Sequence, residues 1–403
     1  MNLFTKRGQH VLNKNNILLG LTSVYIFYGF FEPYLNQLIG PIMRFYIIAL
    51  AGLYILFHHG KLTIGAGIQY IVLWFFFECI TIIWARNYEI IKMHFLTVLG
   101  FVVLLVCISQ RPIDKRLINS MIYTFWIGSF LIGLLSLFFH STYHFQMRFS
   151  ARQVLTLGGV QTDPNNQAIF LMYGISISLY YLFVKREKIL FSIVTIIINM
   201  ISMLMTSSRG SFLSLGLMLL LIVLFVIKDW KTKLWALAAS LVILGLMIRF
   251  APSILSASSL ERLLEFDSYE GGGNRITIWK NALTLINENL LYYIVGAGWG
   301  SYYNYNGWAG IHNTYLEMFC NTGLIGVLLF FIPIIRVIID LWKKEKYLPI
   351  FIAISVFLPA VFLDCINKRY FWNAIYFLFV CYCSEYYSEN ELHERKTARV
   401  FQR

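Results

Sequence analysis

Residues 312–317 read His-Asn-Thr-Tyr-Leu-Glu and stand directly before a long apolar run. Thr314 and Glu317 match a Thr-x-x-Glu capping box, which predicts a helix starting just after His312 and Asn313. The free N–H groups and positive dipole end of such a terminus attract anions. An imidazole there titrates near neutral pH and can take a proton from a hydroxyl. The stretch therefore offers a base beside an anion cradle. From His312 alone, an interfacial residue with no chemical role is the favoured reading. Glu317 is a second candidate base, although capping is sufficient to explain it. Arg209, in "TSSRGSF" at 206–212, lies between two apolar runs. A guanidinium there costs free energy unless it meets a wet cavity or a partner. Asp163-Pro164-Asn165 forms a polar cap opening another apolar run.

The elements that must position these residues are membrane helices. The chain has 403 residues, 58% of them hydrophobic and 13% charged. Soluble domains carry about 25% charged residues, and no single soluble core would hide so much Phe, Ile and Leu. A net charge of +13 raises nucleic acid as a partner. The Lys and Arg fall in short clusters between apolar runs, which argues against it. Cys79, Cys107, Cys320, Cys365, Cys381 and Cys383 show neither metal-ligand spacing nor a disulfide framework. Residues 1–31 run from basic to apolar without a small-residue cleavage site, which reads as an uncleaved first helix.

A span needs about 20 apolar residues. Twelve candidates follow: 16–33, 40–58, 62–83, 90–109, 117–139, 165–184, 189–206, 211–227, 234–251, 314–341, 347–364 and 370–386. Threading the chain with both termini cytoplasmic puts 20 Lys and Arg inside and 12 outside, with Arg336 within a span. The "KREK", "KDWKTK" and "KKEK" loops all fall inside under this one alternation. Inside, 13 of the cations are Lys; outside, nine of the 12 are Arg. Lys suffices to anchor a loop at anionic lipid, whereas Arg grips phosphate oxygens with a planar fork. The outer bias points to a phosphate ligand, with chance as the alternative.

Two outer segments are long, 140–164 and 252–313, and long loops tend to be functional or disordered. In the second, Ile276, Trp279, Leu283 and Ile286 recur at helical spacing and predict a short amphipathic helix at the interface, introduced by Gly271 to Gly273. Trp299, Tyr302, Tyr303, Tyr305 and Trp308 suit either the headgroup layer or the faces of sugars. Gly323 and Gly326 form a small-x-x-small pair that lets helices approach closely.

With these motifs in order, "DPNNQA", "TSSRGSFLSL", "GNRITIWKNAL", "VGAGWG" and "HNTYLEMFCNTGLIG", the sequence resembles the O-antigen ligase and Wzy-type polymerase superfamily over about 160 to 330. The resemblance implies an all-α integral membrane protein of about 12 transmembrane helices, GT-C-like, with one large extracytoplasmic loop carrying short helices. It divides the chain into N-terminal helices (1–160), a core (161–345, with the loop 252–313) and C-terminal helices with a cytoplasmic tail (346–403). It implies a metal-independent, cofactor-free glycosyltransferase in a bacterial cytoplasmic membrane, using an undecaprenyl-pyrophosphate-linked glycan on the outer face. Arg209 and Arg275 would hold the pyrophosphate and His312 would activate the acceptor hydroxyl. Arg148, Arg152, Asn165, Asn313, Tyr315, Gly296 and Gly298 would contact substrate. Lipid-linked donor and acceptor, the bilayer, a chain-length regulator and a flippase are the expected partners, with no nucleic acid. A polymerase of repeat units is the first expectation and a ligase of finished glycan the second. A glycolipid flippase is the third, disfavoured because mid-span charges are few (Glu78, Arg336) and no inverted repeat is evident.

The threading is tested by single cysteines at Ser268 and Lys231 in a cysteine-free background. An impermeant thiol reagent should label position 268 in intact cells and leave 231 unlabelled; the reverse order would overturn the topology.

Overall fold

The computed structural model describes residues 14–110, 113–145, 148–254, 274–305 and 310–401. Helices stand at all twelve expected places: α1 (Lys14–Ile39), α2 (Met43–Phe57), α3 (Ile68–Thr81), α4 (Tyr88–Ile108), α5 (Lys115–Phe138), α6 (Pro164–Tyr180), α7 (Ile189–Thr206), α8 (Arg209–Leu221) and α9 (Trp230–Ile254), then, beyond three short helices, α13 (Thr314–Lys343), α14 (Tyr347–Phe357) and α15 (Arg369–Phe401). The short ones are α10 (Asn274–Asn287), α11 (Tyr292–Val295) and α12 (Ser301–Tyr305). Among the described residues, seven helices are long and apolar enough to cross a membrane, and Phe45–Phe57, Ile68–Trp84 and Tyr347–Phe362 are shorter apolar helices. The protein is an all-α integral membrane protein.

α6 is the central helix, with 14 of its 17 residues buried. Its start follows from sequence: Pro164 sits in the first turn, and the Asp163 carboxylate accepts from the N–H groups of Asn165 and Asn166. In a lipid environment apolar contact alone gives neighbouring helices little specificity, so buried polar groups set the fit. Asn199 of α7 donates to Ser129 Oγ of α5 (2.9 Å) and to the Leu171 carbonyl of α6 (3.1 Å). Gly133 and Gly174 make room for it: a Cβ at either would lie within 2.6 Å of the Asn199 amide.

The segment 140–161, expected as a loop, is a three-stranded antiparallel sheet in the order β1 (His140–Phe145), β2 (Arg148–Leu157), β3 (Val160–Gln161). Gly158 and Gly159 both have positive φ, which the two-residue turn between β2 and β3 requires. Leu155 is fully buried; its N–H donates to Gln167 of α6 and its carbonyl accepts from Tyr34 of α1.

Helix ends alternate between two faces. One gathers Arg86–Glu288, Arg369–Glu32 and His312–Asp364; the other gathers Lys228–Glu345 and Lys346–Glu385. On the first face α10 forms as expected but turned about its axis. Ile278, Ala282, Leu285 and Ile286 are buried, while Ile276 and Leu283 are exposed. The buried side packs on Ala297, Tyr302, Ile311 and Cys320. A partner for both faces of one helix cannot be read from spacing alone. Trp299 and Tyr302 are likewise buried within the protein. Gly271 to Gly273, Ser268 and Trp308 lie outside the described residues, as do the side chains of Tyr305 and Arg148.

Gly323 breaks α13, with φ +59 and ψ −161. The break receives the Gly296–Gly298 loop: a Cβ at Gly323 would lie 2.4 Å from the Ile294 carbonyl carbon, and one at Gly296 would lie 2.3 Å from the Asn321 oxygen. The Ala297 N–H donates to the Cys320 carbonyl at 2.7 Å. The small residues thus admit a loop, where helix contact was expected. Gly296→Ala should therefore cause a large loss of folded protein, because both space and a positive φ forbid the methyl group. Gly216→Ala, in α8 with nothing within 4 Å of its Cβ, should leave the melting temperature in detergent unchanged or raised. Equal melting temperatures for both variants would contradict the docking.

Candidate active site

Asn313 is the N-cap of α13: its side-chain oxygen accepts from the N–H groups of Tyr315 and Leu316, both at 3.1 Å. The helix starts where sequence placed it, by a different cap. Thr314 lies inside the first turn, where its hydroxyl donates to the Leu363 carbonyl (2.5 Å) and accepts from the Cys365 N–H (2.8 Å). The Asn313 N–H donates to Asp364 Oδ1 at 3.2 Å, and Tyr315 OH donates to the Phe357 carbonyl at 2.7 Å. Four hydrogen bonds thus stitch the head of α13 to residues 357–365.

His312, with φ +53, turns its ring toward this stitch. Its Nδ1 lies 3.5 Å from Asp364 Oδ2; the imidazole is 49% exposed and the carboxylate 13%. One face of the pair is thus open while the acid is held. The left-handed backbone costs an L-residue about 1–2 kcal/mol, which the fixed neighbours sustain. Gly310 keeps the space open, since a Cβ there would lie 2.2 Å from Asp364 Oδ2. Burial, with Glu317 and Asp364 beside it, holds the Tyr303 hydroxyl well above its usual range, so it stays a neutral donor. Burial likewise pushes the Cys365 thiol up to about 12, which removes it as a nucleophile.

Arg275 and the helix turn that carries Arg209 meet the same connection. The Arg275 guanidinium lies 5.7 Å from the centre of the Phe362 ring. The first turn of α8 packs on that ring too: a Cβ at Gly210 would lie 2.9 Å from Phe362 Cδ2. Residues 362–364 therefore carry, two positions apart, the ring between the Arg209 and Arg275 turns and the acid on His312.

Residues 191–331, from α7 into α13, match the family model described as O-antigen ligase. Over that stretch the chain is similar to the O-antigen ligase family. No curated protein matches the chain. The matched stretch includes Arg209, Arg275 and His312, and it supports an O-antigen ligase or polymerase-type function, a glycosyltransferase-like or ligase activity.

Asp364 and Phe362 lie beyond the matched residues and were not found by sequence reasoning. The one signal was an acid closing the apolar run 347–364. The expected substrate contacts take other places. Arg152 is buried and donates to the Thr206 carbonyl (2.8 Å) and to Asn165 Oδ1 (2.7 Å), which also accepts from Ser208 Oγ (3.0 Å). Both residues hold the turn that presents Arg209. Tyr315 braces α14, Asn313 caps α13, and Gly296 and Gly298 serve loop packing. Only the backbone of Arg148, paired with Phe145, is described.

Glu317 does not close a capping box. It faces a small polar cavity with His94, Tyr303, Asn321 and Asn367, and its Oε2 has no hydrogen-bond partner. A buried charge without partners is costly, and a neutral isostere removes that cost. Glu317→Gln should therefore leave the melting temperature unchanged or raise it. A fall of many degrees would show an ionised, paired carboxylate.

Proposed function

We propose that this protein polymerises lipid-pyrophosphate-linked repeat units on the outer face of a bacterial cytoplasmic membrane. The observation that carries the reading is the convergence on residues 362–364 of His312, through Asp364, and of the Arg209 and Arg275 turns, through Phe362. His312 accepts the proton of the acceptor hydroxyl. The hydroxyl oxygen attacks the anomeric carbon of the donor sugar, and the bond from that carbon to phosphate breaks. The electron pair leaves with the lipid pyrophosphate, whose growing charge Arg209 and Arg275 neutralise. Asp364 keeps the imidazole oriented and stabilises the imidazolium that forms, and the proton then passes to the departing phosphate or to water. The bond energy resides in the sugar–pyrophosphate link, so this scheme requires no nucleotide.

A ligase passing finished glycan to a different acceptor uses the same steps, and the description of the matching family favours it. The glycan profile of a deletion strain separates the two. Loss of long chains with single repeats retained supports the polymerase; long chains left on their lipid carrier support the ligase.

Chain growth from purified lipid-linked repeat units tests the roles. His312→Ala should slow it at least ~10²-fold, the usual scale for a general base. Arg209→Lys and Arg275→Lys should each cost about 10- to 150-fold, because an ammonium cannot reproduce the fork and a charge-assisted hydrogen bond is worth about 1.5–3 kcal/mol. Arg186→Lys, in an opposite-face loop, should be silent. Wild-type rates for both Lys variants at positions 209 and 275 would remove the clamp.

A further inference from the structure

A second feature lies behind the same connection. A groove of about 770 Å³ runs between α1, α2 and α4, and its upper end is closed by the residues that open α15. Its wall is apolar: Ile47, Ile48, Ala51 and Ile55 on α2 face Leu96 and Leu99 on α4. From Met43 to Ile55 the wall descends about 18 Å at ~1.5 Å per residue, more than half of a bilayer's hydrocarbon thickness of about 30 Å. Ile48 and Leu96 line the groove and are also 68% and 65% exposed, so it opens sideways. At Gly52, also on the wall, a Cβ would meet nothing within 4 Å.

The upper end is polar and cationic. Arg369 gives Nε and Nη2 to the Glu32 carboxylate (3.0 and 2.8 Å), an approach that Gly29 allows by lacking a side chain. Its guanidinium also lies 4.8 Å from the centre of the Tyr25 ring, with Nη1 buried, so it serves to neutralise Glu32 and leaves the groove's end to Lys368. Lys368 adds an ammonium that forms no ion pair among the described residues. With Glu32 neutralised by Arg369, the end carries one net positive charge and sits at the N-terminus of α15, both of which suit phosphate. The position is also informative. Phe362 and Asp364 lie on the arginine and histidine side of the connection, and Asn367 to Tyr370 face the groove. Asp364 and Lys368 are four residues apart, at most about 14 Å along the chain.

We propose that this groove holds the lipid carrier of the acceptor: a polyprenyl chain on the α2–α4 wall, with its pyrophosphate at Lys368 beside the N-terminus of α15 and its sugar reaching His312 around the connection. The proposal rests on the glycosyltransferase reading above and adds to it a second lipid, bound apart from the donor clamp. A polymerase needs two such carriers at once, because both of its substrates are lipid-linked.

The test uses undecaprenyl pyrophosphate with a diazirine in its isoprenoid chain, photolysed with the purified full-length protein in phosphatidylglycerol nanodiscs. Adducts mapped by mass spectrometry should fall on α2 or α4. Gly52→Trp, which fills the groove, should reduce those adducts at least tenfold, and Gly52→Leu should reduce them less. Lys368→Gln should reduce them as well, while the protein stays monodisperse. Absence of α2 and α4 adducts from the wild type would overturn the proposal, as would adducts indifferent to Gly52→Trp. Equal labelling of the same peptides by a phosphatidylglycerol diazirine would also overturn it, because the groove would then be an ordinary bilayer-lipid site. His312→Ala separates the two readings: groove labelling should persist in it while chain growth is lost. If chain growth survives in that variant, the catalytic reading fails and the labelling result for the groove still stands on its own.

Discussion

The head of α13 is held by the connection between α14 and α15, and the rest of the site follows from that constraint. Asn313 N–H on Asp364, Thr314 with Leu363 and Cys365, and Tyr315 on Phe357 fix the first turn of the helix against a segment some fifty residues away. Those bonds hold the backbone next to His312 so that its ring, on a left-handed residue, stands beside Asp364. Below it, the break at Gly323 takes in the Gly296–Gly298 loop. That loop is packed against α10, whose Trp279 indole N–H donates to the Ile311 carbonyl at 3.1 Å, immediately before His312. The histidine is thus fixed from both sides of its chain.

Much of this was legible in the sequence. Apolar runs separated by basic loops are a one-dimensional signal, and a helix stands at every run. His312 and Arg209 stand out in the sequence as polar groups at the edge of apolar runs, whereas Arg275 is singled out only by the family resemblance. Asp364 was not legible, because its meaning comes from a contact 52 residues back and no period in the chain encodes that contact. The capping box was a misreading of a different kind. Thr314 and Glu317 have the right spacing, yet Asn313 is the better cap, which frees Thr314 for the connection and leaves Glu317 facing inward. The sheet at 140–161 was missed because its short strands carry polar and apolar residues in no clean alternation. Only Gly158-Gly159 marked the turn.

The arginine bias of one face has a structural cause. Arg86 pairs with Glu288 at 2.6 Å, Arg369 grips Glu32 with two parallel bonds, and Arg152 holds a carbonyl and an amide within the protein. Pairing with Glu288 holds the Arg86 guanidinium above its already high range, so its positive charge persists. The planar fork that suits phosphate suits carboxylates and carbonyls equally. On this face it joins connections between helices that apolar packing leaves unspecified. Arg275 differs from these three in lying against the Phe362 ring, on which the Gly210 turn that carries Arg209 also packs.

The central claim is that His312 and Asp364 act as one unit. A double-mutant cycle on the initial rate of glycan transfer tests it most directly, with His312→Ala, Asp364→Asn and the double variant compared at equal amounts of folded protein. If the acid works only through the imidazole, the double variant will be no slower than His312→Ala alone, because the second change removes an interaction already lost. Multiplication of the two single losses in the double variant would show independent roles and contradict the account.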